Sequence, residues 1–286
     1  MNTATGKSNP ITMTKSIYKS LTKSEQKVAD LILSDTQEMV YATVTDLSEK
    51  AGVGETTVIR FCRKLGFRGY QEFKLSVAQN LSNSSEQIYG EIKANDTLVE
   101  VATKITQQNS KVLKDSLDLL QITSLEKAVK AITSSNKVFF FGVGSSGTTA
   151  RDAKIRYMRI GLNVDYSTDS HIMAMQASLL GKQDVVVGIS SSGSTKDVVD
   201  AIKIAKENKA FIICITNHAK SPITQFADVI LLAANKETPF QGGAFSSKIA
   251  QLHLLDIMTV IIEMQQKDKT YTATEKTAKA VLDKMY

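Results

Sequence analysis

The sequence predicts a protein of the α + α/β class, with an all-helical N-terminal module and a doubly wound parallel α/β module after it. Three observations predict this class. The chain has 286 residues, a length that suggests two domains. Apolar residues recur at helical spacing from Ile17 to about Leu81, and no run there is typical of a strand. Beyond about Leu120, short β-rich runs alternate with helical segments, which indicates βαβ units and a parallel sheet.

The composition excludes several kinds of protein and indicates where this one would be found. Hydrophobic residues make up 42% of the chain and the formal net charge is +6, which excludes disordered and collagen-like proteins and permits a polyanionic partner. Cys62 and Cys214 form no disulfide framework. The polar first residues lack the apolar core of a signal peptide, and every apolar run is too short to cross a bilayer. We therefore expect a cytoplasmic protein without a membrane partner.

The order of the elements follows from the apolar periodicity. The polar stretch Ser82-Asn83-Ser84-Ser85 ends the first module, so we expect domains at 1–81 and 123–286 with a linker and connecting helix at 82–122. The connecting helix spans about Asp96–Leu120, with an approximate apolar face of Val99, Ile105, Val112, Leu113 and Leu117. Five strands are predicted at Val138–Phe141, Val164–Tyr166, Val185–Ile189, Phe211–Ile215 and Val229–Leu232. The helices between and after them are predicted at about Thr148–Ile160, Ser170–Leu180, Val198–Asn208 and Ser246–Gln265.

The stretch from Thr43 to Lys74 has the pattern of a helix-turn-helix. Thr45 can cap a first helix that ends at Ala51, Gly52 supplies the turn, and a second helix follows over Glu55–Leu65. The second helix would enter the major groove of DNA, and basic residues around it would contact phosphates. The DNA-binding candidates are Thr45, Glu55, Thr56, Thr57, Arg60, Arg63, Lys64 and Arg68. A plain helical hairpin with a solvated basic face is the alternative at this point.

The segment from Thr57 to Lys74, TVIRFCRKLGFRGYQEFK, closely resembles the helix-turn-helix signature of RpiR-family bacterial transcriptional regulators, and Ala51-Gly52-Val53 also fits it. This resemblance implies binding to double-stranded operator DNA. One position departs from the family pattern, because Gly54 stands where the family usually has Ser. Gly caps a helix nearly as well as Ser. It lacks the hydroxyl that would contact a phosphate.

Two glycine- and serine-rich loops in the second module each follow a predicted strand and open a helix. The first, Gly142 to Gly147, has the literal spacing GxGxxG, and Asp165 follows about 20 residues later at the end of the next predicted strand, which fits a dinucleotide fingerprint. The second, Gly188 to Thr195, offers hydroxyls and N–H groups at a helix N-terminus, where anions bind. Two such loops would converge on one crevice and suit a terminal phosphate. The alternatives are a nucleotide cofactor bound through the first loop, or simple tight turns.

The region from about Leu125 to Gln265 resembles the SIS (sugar isomerase) domain, a phosphosugar-binding α/β fold, and the segment Gly243 to Leu252 matches RpiR-family regulators. The resemblance implies that an effector phosphate binds to Ser190, Ser192 and Thr195, with Ser145 and Ser146 on the phosphate or the sugar hydroxyls. Weaker candidates for the sugar end are Glu237, Ser246 and Ser247. The family commonly has Arg at the position of Gln241 or Lys248, so the local charge is altered here.

SIS domains also occur in aldose–ketose isomerases, whose chemistry needs a general base. The candidates are Glu237, His171, His218 and His253, and the histidine on the last long helix fits a packed interface better than a base. Neither a catalytic triad spacing nor an HExxH metal motif is present in the sequence. We therefore expect no enzyme activity, no cofactor and no metal, with a phosphosugar isomerase as the alternative. The expected function is a transcriptional regulator of sugar metabolism that senses a sugar phosphate and acts as a homodimer or homotetramer, because two recognition helices must span two half-sites.

Overall fold

The computed structural model describes residues 9–82, 87–89, 92–234 and 245–284. The described residues confirm the predicted α + α/β class. They divide into two compact units, the first ending at Thr106 and the second beginning at Gln107, both within one long helix. Glu237, Gln241, Gly243 and most of the predicted break at 82–85 lie outside the described residues. None of the described helices is long and apolar enough to cross a membrane.

The described residues of the first unit are helical apart from two short antiparallel strands. Its helices are α1 (Pro10–Ile17), α2 (Lys23–Ser34), α3 (Thr36–Met39), α4 (Val44–Ala51), α5 (Glu55–Lys64) and α6 (Tyr70–Ser82), with a 3₁₀ turn at Tyr18–Ser20. The antiparallel strands β1 (Gln87–Tyr89) and β2 (Ile92–Lys93) follow, and the sequence did not predict them. Phe61 and Phe73 are fully buried in the core and meet edge to face, with ring centroids 5.9 Å apart.

Helix α7 (Leu98–Leu119) connects the two units and lies within two residues of the connecting helix predicted at about Asp96–Leu120. Val112 is buried and packs on the core of the second unit. Val99, Ile105 and Leu117 of the predicted apolar face are 75%, 41% and 58% exposed. Among the described residues, that face is therefore buried around Val112 and Ser116 and exposed at these other positions.

The second unit is a parallel five-stranded sheet in the order β4-β3-β5-β6-β7. The strands are β3 (Lys137–Phe141), β4 (Val164–Ser167), β5 (Asp184–Ile189), β6 (Phe211–Thr216) and β7 (Val229–Leu232). The helices are α8 (Ile122–Ser134), α9 (Ser145–Arg159), α10 (Ser170–Ser178), α11 (Lys196–Glu207), α12 (Phe245–Gln265) and α13 (Lys267–Lys279), with 3₁₀ turns at Pro222–Phe226 and Leu282–Lys284. Each predicted strand starts and ends within one residue of the observed one.

Side chains along β3 point alternately to the two faces of the sheet, and both faces are covered by helices. Phe140 points into one core, where it meets Tyr157 of α9 with ring centroids 5.3 Å apart, and residues of α8 and α12 complete that core. Phe139 and Phe141 point into the opposite core, which α10 and α11 cover. A strand buried on both faces needs the continuous apolar run that the sequence shows. From β3 the chain turns first to β4 on one side and later to β5 on the other, so the switch point of the topology lies between β3 and β5.

Candidate nucleic-acid interface and effector site

Helices α4 and α5 form the predicted helix-turn-helix. Gly52 ends α4 in the left-handed conformation at φ 62°, and Val53 N donates to Ser48 O at 2.9 Å, which closes the turn. The predicted cap, Thr45, is wrong, because Thr43 caps α4 and Asp46 closes a reciprocal capping box with it. The box needs an acidic or amide side chain three residues after the cap, and Ser48 in that position could not serve Thr45. Gly54 begins α5 without a side-chain cap, as the sequence implied.

Helix α5 presents its polar residues outward and buries its apolar ones. Val58, Phe61 and Cys62 are completely buried in the core of the first unit. Of the predicted DNA contacts, Thr56, Arg60, Arg63, Lys64 and Arg68 are exposed, whereas Thr45, Glu55 and Thr57 are partly buried. The exposed set includes four cations, which gives this side of the unit the positive charge that a phosphate backbone requires.

The predicted contact residues are also bound to one another and to their surroundings. Thr45 donates its hydroxyl to Glu55 at 2.5 Å, which ties the start of α5 to α4. Arg63 donates through Nε to the backbone carbonyl of Arg68 at 3.3 Å. Side chains held in this way lose less conformational entropy when they bind a partner.

A buried carboxylate on α2 lies against two of these cations. Glu25 is fully buried, and its Oε2 accepts hydrogen bonds from Lys64 Nζ at 2.6 Å and from the backbone N–H and hydroxyl of Thr22 at 2.9 Å each. Arg60 Nε lies 3.3 Å from the other oxygen, Oε1. Burial by itself would raise the pKa of Glu25, but the hydrogen bonds from Lys64 and Thr22 outweigh it and lower that pKa to about 2. Glu25 is therefore an anion at neutral pH beneath the outward face of α5, and it was not predicted from the sequence.

A buried lysine holds the chain just before α4. Lys74 Nζ and Tyr70 Oη both donate to the carbonyl of Ala42, at 2.9 Å each. Burial lowers the pKa of Lys74 to about 8, although the negative charge of Asp46 opposes this shift.

The two glycine- and serine-rich loops follow β3 and β5 on either side of the switch point. In the first loop Gly144 has φ 60° and ψ −127°, a conformation open only to glycine, and it turns the chain into α9. A side chain at Gly142 would come within 2.7 Å of the carbonyl oxygen of Ser146, so the loop depends on a close backbone approach. This geometry brings Ser145 and Ser146 to the first turn of α9 at the carboxyl end of β3.

The second loop wraps the carboxyl end of β5. Ser190 is buried, and its hydroxyl lies 3.1 Å from the hydroxyl of Thr195, which precedes the first residue of α11. Ser192 is exposed, and its Oγ accepts from the N–H of Ser194 at 3.2 Å. Gly193 adopts φ 62°, and a side chain there would come within 2.1 Å of the Ser221 hydroxyl. The loop thus gathers three hydroxyls at the N-terminus of α11, whose first N–H groups have no partner within the helix.

Gln251 of α12 links the two loops and was not identified from the sequence. Its amide nitrogen donates to Ser191 Oγ at 2.9 Å and to Ser146 Oγ at 3.4 Å, and its oxygen accepts from Thr149 of α9 at 2.9 Å. Gln251 is only 1% exposed. Gln251 and His253 are the polar residues in the mostly apolar stretch from Ala250 to Leu255, and a polar residue in such a stretch is the sequence signal that could have identified it.

Two buried polar atoms beside these loops form no hydrogen bond with the described residues. They are Ser145 Oγ and Asn217 Oδ1. Asn217 donates through Nδ2 to Ser247 at 3.0 Å, and both Ser246 and Ser247 are buried at the start of α12. Buried polar atoms normally have partners, so a ligand or water at this end of the sheet would satisfy them.

The structure also places the acidic residue of the predicted dinucleotide fingerprint and the three histidines. Asp165 lies at the second residue of β4, 3.7 Å from Lys137 and 3.8 Å from Lys154, so its predicted place at the carboxyl end of that strand is wrong. The hypothesis of a dinucleotide site therefore lacks the acidic residue that would bind a ribose. His171 is exposed in the first turn of α10, His218 follows β6, and His253 lies on α12. Within the described ranges, no group of three or more metal-ligating side chains could hold a metal ion.

Comparisons with known proteins agree with this architecture. Residues 9–84 match the model of the helix-turn-helix domain of the rpiR family, and residues 131–261 match the model of the SIS domain. An uncharacterized HTH-type transcriptional regulator of Haemophilus influenzae is 38% identical over 272 residues, which cover 94% of each chain. The HTH-type transcriptional regulator HexR of Escherichia coli is 32% identical over 238 residues, 83% of this chain and 82% of its own. The structure of the Vibrio vulnificus NanR protein complexed with ManNAc-6P has a TM-score of 0.88 at 29% identity and covers 97% of this chain and 99% of that one.

Proposed function

The chain belongs to the RpiR family of helix-turn-helix transcriptional regulators with a SIS domain, and from that premise we propose that it binds operator DNA through α4 and α5 and changes its DNA affinity when its SIS domain binds a sugar phosphate. The genes it controls would then serve sugar metabolism. The proposal does not include catalysis, since the relatives compared above are named as transcriptional regulators.

The observation that carries the effector proposal is the pair of loops at the switch point, joined by Gln251. Ser190, Ser192 and Thr195 would donate hydroxyl hydrogen bonds to the phosphate oxygens, and the N-terminal N–H groups of α11 would add to them. Ser145 and Ser146 would bind the phosphate or the sugar hydroxyls, and the unpartnered Ser145 oxygen supports this role. Ser246, Ser247 and Glu237 are proposed for the sugar end, the last of them outside the described residues.

The DNA proposal depends on the outward face of α5. Its first turns carry Thr56, Thr57 and Arg60, which would reach base edges in the major groove. Arg63, Lys64 and Arg68 would contact phosphates, and Thr45 with Glu55 would position the start of the helix.

A regulator of this kind needs two copies of α5, one for each half-site, so we include a homodimer or homotetramer in the proposal. Exposed apolar residues of α7, among them Leu98 and Leu117, are candidate contacts between copies. The effector would act by binding one quaternary arrangement more tightly than another, because a ligand with equal affinity for both arrangements shifts nothing.

Fluorescence anisotropy of labelled DNA from upstream of the coding region tests the proposal. The protein is titrated at near-physiological salt with and without a panel of sugar phosphates that includes ManNAc-6P. We expect sequence-specific binding that one sugar phosphate shifts, a shift that Ser192→Ala weakens and that the control Ser178→Ala, an exposed serine on α10, leaves intact. Weak, sequence-blind binding that no sugar phosphate changes, or turnover of an aldose phosphate to a ketose phosphate, would contradict it.

A further inference from the structure

Glu25 is the most deeply buried of the carboxylates that pair with cations in the described part of the first unit. Glu38, for example, pairs with Lys50 at 2.6 Å, but both side chains are more than half exposed. Glu25 is completely buried, yet it reaches Arg60 and Lys64, whose side chains are 61% and 40% exposed. A buried, ionised carboxylate constrains its partners strongly, because losing them would leave its charge uncompensated.

The two oxygens of Glu25 are used differently. Oε2 is saturated by Lys64 and Thr22, and it belongs to the capping box that starts α2. Oε1 is buried and accepts no hydrogen bond from the described residues, and the cation facing it is Arg60, through Nε at 3.3 Å. The Glu25 oxygen that accepts no hydrogen bond from the described residues therefore forms an ion pair with Arg60, in the middle of α5.

An arginine whose Nε lies against a carboxylate keeps both Nη groups for another partner. The guanidinium is planar and its donors have a fixed fork geometry. The ion pair at Nε therefore restricts the movement of the Arg60 side chain without using its two Nη groups. Bidentate donation from Arg to O6 and N7 of guanine is the commonest specific contact in the major groove.

Building on the proposed DNA binding, we propose that Glu25 is a positioning residue for base recognition, which holds Arg60 so that its two Nη groups read a guanine in each half-site. Glu25 also pairs with Lys64 and offsets its charge, which weakens the contact that Lys64 would make with a phosphate. The carboxylate therefore improves discrimination between sequences at the expense of indiscriminate electrostatic affinity.

Glu25→Gln tests this idea with little change in shape. Gln is accepted at the third position of a capping box, so the start of α2 keeps its hydrogen bonds. Glu38→Gln is the matched control, because it removes one negative charge and frees Lys50 without touching Arg60 or Lys64. Wild type and both variants are used to select binding sites from a pool of randomised duplex DNA, and each is titrated at several salt concentrations against a duplex of A·T pairs only.

We expect Glu25→Gln to lose about tenfold in its preference for guanine at one position of each half-site, within the range of a bidentate base contact. Binding to the A·T duplex should become tighter, and the slope of log K against log salt should steepen by about 0.9 for each cation that gains a phosphate. The Glu38→Gln control should keep the wild-type preference. Equal losses on selected and A·T duplexes would overturn the proposal, as would an unchanged guanine preference.

A second variant covers the case in which Glu25→Gln fails to fold in a thermal melt. Arg60→Met keeps the length of the side chain but removes every donor, so it should also lose the guanine preference while still binding the A·T duplex. Retention of that preference in Arg60→Met would overturn the proposal as well. Failure of the wild-type protein to select any sequence would instead contradict the proposed function itself.

Discussion

Replacing Gln251 by Leu should loosen the connection between the two effector loops. The change removes two hydrogen bonds of 2.9 Å, from Thr149 and to Ser191, and a longer one of 3.4 Å to Ser146. Each of the two shorter bonds is worth about 1 kcal/mol net, and Leu fills nearly the same volume, so the free energy of unfolding of the second unit should fall by about 2 kcal/mol. For a unit of this size that corresponds to a decrease in Tm of about 4–8 °C.

The same variant should bind the effector more weakly, since the loops would no longer be held at a fixed separation. A loss of about 1.4 kcal/mol would lower the apparent affinity for the sugar phosphate about tenfold. Thermal unfolding and the anisotropy titration measure the two effects on one preparation. Gln183→Leu is the control, because Gln183 is exposed and precedes β5 at the opposite end of the sheet. An unchanged Tm together with unchanged effector binding in Gln251→Leu would show that Gln251 does not hold the two loops together.

Three further predictions concern other parts of the molecule. Glu25 has a pKa below that of the unfolded chain, so its contribution to stability is complete above about pH 4.5 and is lost as the pH falls toward 2. At 1.36 kcal/mol per pKa unit this loss of stability is at most about 3 kcal/mol, and about 1–2 kcal/mol once solvent screening of its exposed partners is included. Acid denaturation of the wild type should show this loss, and acid denaturation of Glu25→Gln should not. Lys74 has a lowered pKa, so the unfolded chain binds more protons than the folded one above pH 8. The free energy of unfolding of the wild type should therefore rise by about 1 kcal/mol relative to that of Lys74→Met between pH 7 and 9, measured by urea titration. A difference between the two proteins that does not change with pH would contradict this. Gly193→Ala should displace the second loop against Ser221 and abolish the effector response, whereas Gly181→Ala, which meets no atom within 4 Å, should retain it; equal responses would refute this.

The sequence predicted the elements of the second unit closely, because each buried strand is a continuous apolar run between polar turns. It also predicted that the loops after β3 and β5 lie at the same edge, which parallel topology requires. The cap of α4 was misassigned because two threonines stand two residues apart, and only the partner three residues later distinguishes them.

Contacts between distant residues were beyond the reach of the sequence. Glu25 and Lys64 are 39 positions apart, and Gln251 is 105 positions from Ser146. No local periodicity signals that such side chains meet. The apolar face of α7 could be predicted but its burial could not, since an apolar residue on a long helix is buried only where another element covers it.

Anisotropy of the upstream DNA, measured at near-physiological salt with and without each sugar phosphate, shows whether this chain couples DNA binding to a sugar phosphate. We predict specific binding that one sugar phosphate shifts, and by linkage the DNA should change the affinity for that sugar phosphate by the same factor. Specific DNA binding that is identical with every sugar phosphate, in a protein shown to bind one of them, would contradict this coupling.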